Sequence, residues 1–327
     1  MNTPSKPIRP SEVAVAHPQQ LIGLGIDTCS ACPHPWPVGV CPLCAPGPMA
    51  PPPDNAGHPA ADTDVETALL RGLRMTPPLL ILRGGECLLR ENALELLTAC
   101  RQSGVARVEV WTAGPLLGRP RFAQAIHKAG ATDVGVLLFG DTAEGHDYVA
   151  GAAGHFARVL TGVQRARAAG LGVRLLVPVL RPTFRGLVGV VRKAIPAGVK
   201  GLYLWAPPGP DRSAHPLLAP LPLVASYVQA AVQLARTAGM DVRTEGLPAC
   251  HLGPHAGLAV ASMPAISAGP VQSGELPHAF GPPCAACTWQ GRCAGLPQPR
   301  IDEHGWVGTA ARSDPAQLPN LPARVAG

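Results

Sequence analysis

The residues with the clearest capacity for chemistry are cysteines gathered in two groups, one towards each end of the chain. The sequence of 327 residues contains 10 cysteines. The first group is Cys29, Cys32, Cys41 and Cys44, and the second is Cys284, Cys287 and Cys293, with Cys250 as its expected fourth member. Since the N-terminus lacks the apolar core of a secretion signal, we expect thiols that stay reduced and bind metal rather than form disulfides.

The spacing within the first group fits two kinds of metal centre. Its pattern, Cys29-x2-Cys32-x8-Cys41-x2-Cys44, consists of two CxxC pairs. Four thiolates at this spacing suit a tetrahedral zinc ion, and they equally suit an iron–sulfur cluster. The three nearby cysteines and one distant cysteine of the second group also suit a structural zinc. From the cysteines alone, the identity of the metal remains open.

A Gly-Gly-Glu sequence follows an apolar run between the two cysteine groups. Gly84, Gly85 and Glu86 come directly after the segment from residue 79 to residue 83. Glycine has no Cβ, so the backbone here can closely approach a ligand, and Glu86 can pair with a cationic group. Without a ligand, the same residues would form a tight turn with a solvent-facing glutamate. The nearby cysteines favour the ligand-binding interpretation.

Composition narrows the class of protein. Hydrophobic residues make up 46% of the chain and aromatic residues only 4%, so the core must consist of Leu, Val and Ala. The net charge of +6 is modest, and the arginines are scattered, so we expect no nucleic-acid partner. The most apolar stretches are interrupted by Pro, His or Gln, which predicts no membrane span and a cytoplasmic location.

Short apolar runs alternate with longer amphipathic stretches, which is typical of βα units and a parallel sheet. Six strands are predicted, at residues 21–26, 79–82, 108–112, 134–139, 173–179 and 201–205. Helices are predicted at residues 64–73, 90–103, 120–129, 155–169, 184–194 and 223–238. We therefore predict an α/β fold: a partial (β/α)6 TIM-like barrel with a small C-terminal cysteine-rich extension. Such barrels place their chemistry at the carboxyl ends of the strands.

The order of these motifs resembles the core of the radical S-adenosylmethionine (SAM) family over residues 21–205. Gly84-Gly85-Glu86-Cys87 matches the family's Gly-Gly-Glu-Pro segment except at the last residue. Thr112-Ala113-Gly114 matches Thr-Asn-Gly except at its middle residue. The stretch from Phe139 to Phe156 is similar to the exit of the fourth strand in a peptide-modifying or uncharacterised branch.

This resemblance implies SAM and a 4Fe-4S cluster as cofactors, with SAM lying against Gly84, Gly85, Glu86 and Thr112. The family's usual cysteine loop is CxxxCxxC. Cys41 and Cys44 match its last two ligands, but Pro37 stands where the first is usual, so that ligand must be Cys29 or Cys32. Four thiolates on one cluster would leave no iron open to SAM. We favour an enlarged loop with one spare thiol over a remodelled zinc site or closed cluster.

The second cysteine group is similar to a C-terminal extension that carries an auxiliary iron–sulfur cluster in many radical SAM enzymes. The resemblance implies Cys250, Cys284, Cys287 and Cys293 as its ligands. A structural zinc that fixes the extension to the barrel remains the alternative. Cys100 is expected to be an inert core residue.

The predicted function is a radical SAM enzyme that cleaves SAM and abstracts hydrogen from an unknown substrate, with a peptide or protein favoured and a flavodoxin or ferredoxin as reductant. The alternative is a catalytically inactive zinc- or iron–sulfur-binding protein on the same scaffold that acts through protein contacts. The predicted domains are a flexible N-terminus (residues 1–18), the barrel (19–245), the cysteine-rich extension (246–310) and a flexible tail (311–327). The sequence identifies no catalytic residue and assigns no role to the histidines.

Overall fold

A parallel sheet forms the centre of the protein. The computed structural model describes residues 24–27, 62–207, 217–259, 265–267, 278–289, 293, 295–297 and 301. Within these residues the sheet has eight strands, in the order β7-β6-β5-β4-β3-β2-β1-β8. They are β1 (Leu24–Asp27), β2 (Leu80–Arg83), β3 (Val108–Thr112), β4 (Asp133–Leu137), β5 (Gly172–Pro178), β6 (Gly201–Trp205), β7 (Asp241–Glu245) and β8 (Ala265–Ser267). Each neighbouring pair is parallel.

Eight helices connect the strands or follow them in the described part of the chain. They are α1 (Asp62–Arg74), α2 (Ala93–Gln102), α3 (Phe122–Ala129), α4 (Ala143–Ala150), α5 (His155–Ala168), α6 (Leu187–Ala194), α7 (Leu221–Thr237) and α8 (Ala249–Leu252). In α7 the buried residues Leu221, Val224, Val228 and Val232 recur every three or four positions. This spacing places them on one face of the helix, which packs into the core.

The predicted α/β partial barrel is confirmed, since the sheet curls into a half-barrel covered by helices. The six predicted strands are present as β1 to β6, and β7 and β8 extend the sheet at its two edges. Helix α4 was also not predicted. It begins at Thr142, whose side-chain oxygen accepts a hydrogen bond from the Gly145 amide at 3.2 Å. This bond satisfies an amide that has no partner within the helix.

Alternate residues of the strands build two separate cores. Leu80 and Leu82 belong to the larger core between sheet and helices, whereas Leu79 and Ile81 belong to the core inside the curled sheet. Trp111 of β3 fills much of this barrel interior because Gly135 of β4 leaves room for it. A Cβ atom at Gly135 would lie 2.5 Å from Trp111 Cδ1. A large side chain on one strand thus occupies the space that a glycine leaves on the neighbouring strand.

Glycines end several helices as the sequence predicts. Gly104, Gly130, Gly170 and Gly239 follow α2, α3, α5 and α7, and all four have positive φ angles. Glycine adopts this conformation without the steric cost that a Cβ atom brings.

A second, much smaller sheet lies in the cysteine-rich region. Strands β9 (His278–Ala279) and β10 (Leu296–Pro297) pair in antiparallel fashion there. Among the helices that the structure describes, none has the length and apolar character required to span a bilayer.

Candidate functional site

The turn after β2 carries the Gly-Gly-Glu sequence at the carboxyl end of the sheet. Gly84 and Gly85 have φ angles of 103° and 57°, which other residues adopt only under strain. The chain then enters a short 3-10 turn, Cys87–Leu89. Both glycines are therefore required by the backbone itself, whatever the turn binds.

Glu86 ties the end of β2 to the end of β3. Its Oε2 atom accepts hydrogen bonds from the Thr112 hydroxyl at 2.9 Å and from the Ala113 amide at 2.8 Å. The Thr112 hydroxyl oxygen in turn accepts a bond from the Gly114 amide at 3.1 Å. Since Ala113 contributes through its backbone, replacing the family's Asn at this position leaves the tie intact. Two motifs that the sequence placed 26 residues apart are thus brought into direct contact.

The other carboxylate oxygen of Glu86 has a different environment. Oε1 is buried and has no hydrogen-bond partner among the described residues. Burial raises the pKa of Glu86 to about 7, although the Ala113 amide, the Thr112 hydroxyl and the Leu88 amide favour the ionised form. A buried carboxylate with one oxygen free is costly unless a ligand supplies a donor or a positive charge.

The exit of β5 holds a second polar group of this kind. The Oγ1 atom of Thr183 is buried and, within the described part of the chain, has no hydrogen-bond partner. Thr183 packs against the exit of β4. A Cβ atom added at Gly140 would lie only 3.0 Å from Thr183 Cγ2. The sequence singled out the stretch beginning at Phe139 but gave no indication of Thr183, which no motif marks.

Further polar side chains face the barrel interior near the same end. Tyr203 donates a hydrogen bond to Glu245 Oε2 at 2.5 Å. Burial, followed by the charge of Glu245, raises the pKa of Tyr203 well above its usual value, so the phenol stays protonated and remains a donor. The Arg83 guanidinium lies 5.6 Å from the centre of the Trp111 ring. Sequence reasoning missed Tyr203 and Glu245 because they are 42 residues apart on two strands and form no local pattern.

The structure locates the second cysteine group but not the first. Cys29, Cys32, Cys41 and Cys44 lie outside the described residues. In the second group, the Ala249 and Gly295 amides donate hydrogen bonds to the Cys293 sulfur at 3.4 Å and 3.3 Å. The first bond brings the segment that contains Cys250 next to Cys293.

Cys250 and Cys284 have further contacts. The Cys250 sulfur lies 3.3 Å from His251 Nδ1, and the Cys284 amide donates a hydrogen bond to the Gly281 carbonyl at 2.9 Å. The Cys284 carbonyl accepts a bond from the Cys287 amide at 3.0 Å. Burial raises the pKa of Cys284, and the thiols of Cys287 and Cys293 raise it further. Even so, no three His, Cys, Asp or Glu side chains of the described residues are positioned as a metal-ligand set.

The two remaining cysteines are buried and separate from these groups. Cys87 contacts the Leu82 and Trp111 carbonyls through its sulfur, at 3.8 Å and 3.5 Å. It therefore fills the position of the family's Pro as a small packed residue. Cys100 is fully buried, and burial raises the pKa of its thiol to about 12, which makes it the inert core residue that the sequence predicts.

Known proteins resemble this chain in part of its sequence and in its fold. No protein-family model matches it. A segment of 92 residues, 28% of the chain, is 37% identical to AdoMet-dependent heme synthase from Methanosarcina barkeri and covers 26% of that protein. Streptococcus suis SuiB bound to S-adenosylmethionine superimposes with a TM-score of 0.55 at 15% identity, over 72% of this chain and 52% of SuiB.

Another solved structure with the same arrangement is anSMEcpe bound to AdoMet and the Cp18Cys peptide. Its TM-score is 0.50 at 14% identity, over 68% of this chain and 63% of that protein. SuiB and anSMEcpe are radical SAM enzymes, so this chain has the fold of radical SAM enzymes and the predicted resemblance is confirmed. The chain spans about a quarter of the heme synthase, about half of SuiB and less than two thirds of anSMEcpe.

Proposed function

We propose that this protein is a radical SAM enzyme that binds SAM at the carboxyl end of the sheet. One observation carries the proposal. The two buried side-chain oxygens without partners in the described residues, Glu86 Oε1 and Thr183 Oγ1, both follow strands at this end. Buried polar groups are nearly always hydrogen-bonded, so two exceptions at the carboxyl end of the same sheet support a bound ligand.

The residues around Glu86 fit the methionine part of SAM. The ammonium group would pair with Glu86 Oε1, and the bonds from Thr112 and Ala113 to Oε2 hold the carboxylate in place. The backbone of Gly84 and Gly85 can approach the ligand because neither residue has a Cβ atom. When bound together, the reduced cluster and SAM supply the one-electron cleavage that yields a 5′-deoxyadenosyl radical.

The cluster ligands proposed for this chemistry are Cys41 and Cys44 with either Cys29 or Cys32. Strand β1, which precedes these cysteines in the sequence, lies beside β2 with Asp27 level with Arg83. The end of β1, which the cysteines follow in the sequence, thus lies beside the end of β2 that leads to Glu86, and this supports a shared site.

We further propose that the second cysteine group holds an auxiliary iron–sulfur cluster, with zinc as the alternative. The two amide bonds to the Cys293 sulfur support a thiolate at this position, since N–H donors stabilise the charged form. The donor set of Cys250, Cys284, Cys287 and Cys293 consists of soft thiolates that suit either centre.

A peptide or protein is the proposed substrate. SuiB has been solved with its precursor peptide SuiA, at a TM-score of 0.51 to this chain, and anSMEcpe has been solved with the Cp18Cys peptide. A flavodoxin or ferredoxin is the proposed electron donor, because cluster reduction requires a low-potential donor.

Anaerobic reconstitution of the full chain tests the function. The expected results are bound iron and sulfide, an electron paramagnetic resonance signal of the reduced protein that SAM perturbs, and 5′-deoxyadenosine after reduction with SAM. Cys44→Ala should abolish the SAM-perturbed signal and the 5′-deoxyadenosine, whereas the control Cys100→Ala should keep both. Protein that holds only zinc and forms no 5′-deoxyadenosine would refute the proposal and support the non-catalytic alternative.

Metal analysis of a second variant tests the auxiliary centre. Cys293→Ala should lower the iron content of the reconstituted chain while the SAM-perturbed signal remains. Unchanged iron content together with a loss of bound zinc would instead identify this centre as the structural zinc.

A further inference from the structure

Two histidines form a buried pair where β4 leaves the sheet. The last ladder bond at this point runs from the Leu138 amide to the Leu176 carbonyl, at 2.9 Å. The next amide, that of Phe139, instead donates to His146 Nδ1 at 3.1 Å. His146 Nε2 lies 2.8 Å from His155 Nδ1. The His146 side chain from α4 thus serves as the hydrogen-bond acceptor that a neighbouring strand would otherwise provide for the Phe139 amide.

These contacts fix the proton positions on His146. Its Nδ1 atom accepts the Phe139 N–H and therefore carries no hydrogen. Burial, followed by the charge of the neighbouring His155, lowers the pKa of His146 to about 4, so the ring is neutral near pH 7. The single hydrogen is then on Nε2, which donates it to His155 Nδ1. His155 accepts the remaining hydrogen and so stabilises the tautomer of His146 that can hold the β4 backbone.

The pair is itself held by its surroundings. Asp147 accepts bonds from the Gly154 and Phe156 amides at 2.6 Å and 2.7 Å, which fixes the start of α5. The His146 ring lies between Phe139 and Phe156, with ring centres 5.4 Å and 5.5 Å away. These contacts leave His146 little rotational freedom, so its bond to Phe139 has a defined direction.

Helix α5, which begins with His155, also packs against the turn that follows β3. Gly162 of α5 lies against the turn after β3, where an added Cβ atom would be 2.5 Å from the Gly114 carbonyl oxygen. On the other side, Gly140 follows Phe139 and packs against Thr183. The direction in which Phe139 and Gly140 leave the sheet therefore affects the position of Thr183, whose hydroxyl has no hydrogen-bond partner among the described residues.

We propose that His146, held in one tautomer by His155, is a positioning residue for SAM binding that fixes the exit of β4 beside Thr183. The inference rests on the proposed SAM site. It goes beyond that site because neither histidine needs to touch SAM. If His146 only stabilised the fold, losing either of its two hydrogen bonds would change SAM affinity equally. If it positions the exit of β4, losing the bond to Phe139 should weaken SAM binding more than losing the bond to His155.

Two substitutions separate the two bonds. In His146→Asn, the amide oxygen can replace Nδ1 and accept the Phe139 N–H, while the contact with His155 is lost. In His146→Gln, the amide nitrogen can replace Nε2 and donate to His155, while the hydrogen bond from the Phe139 amide to residue 146 is lost. Each variant loses one buried hydrogen bond, so the two should be destabilised to a similar extent.

The measurement is the dissociation constant for SAM of the reconstituted full chain, with thermal unfolding of each variant alongside. We expect His146→Asn to bind within about threefold of the unsubstituted chain and His146→Gln to bind about tenfold more weakly. Equal affinities in the two variants would overturn the proposal, whether both are normal or both weakened. An unsubstituted chain that binds no SAM would instead overturn the proposed function, and this inference with it.

A spectroscopic measurement tests the tautomer independently of SAM. Long-range 1H–15N spectra of the full chain at neutral pH should show His146 Nδ1 without hydrogen and Nε2 with it. His155→Phe removes the acceptor of the Nε2 hydrogen, so it should make this preference weaker and lower SAM affinity severalfold. A hydrogen on His146 Nδ1 in the unsubstituted chain would contradict the proposal.

Discussion

The two ends of the barrel interior both contain buried charge, but they satisfy it differently. At the amino end, Arg174 lies 3.3 Å from Glu109 and 2.7 Å from Asp241, and Glu109 also accepts the Trp111 indole N–H at 2.9 Å. Burial opposes ionisation of Arg174, yet Glu109 and Asp241 raise its pKa. The carboxyl end instead leaves Glu86 Oε1 and Thr183 Oγ1 without partners among the described residues.

This difference separates stability from binding. At the amino end, the buried Arg174 and Glu109 are matched to each other and to further partners among the described residues, so they have no capacity left for a ligand. Unmatched polar atoms at the other end cost free energy that a ligand can restore. Substitutions at the amino end should therefore change stability alone, and substitutions at the carboxyl end should change SAM affinity.

The largest effect is expected for Arg174→Met. Removing the guanidinium leaves Glu109 buried without its counter-charge, which costs about 3–5 kcal/mol. Urea unfolding should show this loss, while the SAM affinity of the remaining folded protein stays unchanged. Weakened SAM binding without loss of stability would break the division between the two ends.

The pH dependence of stability should reveal the raised pKa of Glu86. The folded state binds this proton up to about pH 7, whereas the unfolded chain releases it near the usual value of 4.5. The stabilisation is complete below 4.5 and is lost as the pH rises through 7, a change of about 3 kcal/mol. In the absence of SAM, the free energy of unfolding of Glu86→Gln, relative to that of the unsubstituted chain, should increase by this amount as the pH rises through this range. A difference that does not change with pH would contradict the raised pKa of Glu86.

Glu86→Gln should also weaken SAM binding. The glutamine oxygen can still accept from Thr112 and Ala113, but an amide NH2 group replaces the oxygen that would receive the ammonium. A hydrogen bond to a charged group contributes about 1.5–3 kcal/mol, so titration should show an affinity about 10- to 100-fold lower. The exposed Glu91→Gln is the matched control and should bind SAM normally. Equal binding by both variants would remove Glu86 from the site.

The smallest effect is expected for Thr183→Val, which replaces the hydroxyl with a methyl group of similar size. Removing a buried hydroxyl that has no partner among the described residues should leave the free energy of unfolding unchanged or raise it by about 1 kcal/mol. SAM affinity should fall about fivefold, because the ligand loses one neutral hydrogen bond. A less stable variant with normal SAM affinity would show that this hydroxyl has a partner within the protein.

Much of the fold could be predicted from sequence because its strands are continuous apolar runs. Strand β7 was missed because four of its five residues are polar, among them Asp241, Arg243 and Glu245. Asp241 and Glu245 are explained by partners far away in the sequence, Arg174 on β5 and Tyr203 on β6. Strand β8 has only three residues, and a pattern this short gives no periodicity.

The candidate site could be predicted only in part. Glycines and a glutamate in a fixed order mark the exit of β2, so sequence alone selected Glu86. Its bond to Thr112 depends on how β2 and β3 align, which local sequence does not specify. Thr183 and the His146 pair acquire their roles from neighbours brought close by folding, and isolated residues of these types have no distinctive pattern.

Because Trp111 occupies the space beside Gly135, substitutions at these two positions can be made only in a certain order. Alanine at Gly135 would push a methyl group into the indole ring, and Gly201 stands in the same relation to Arg174, whose Nη1 would lie 2.6 Å from an added Cβ. A side chain can therefore be introduced at either glycine only after its large neighbour has become smaller. Any redesign of the interior must treat each pair as one unit and change both of its members together.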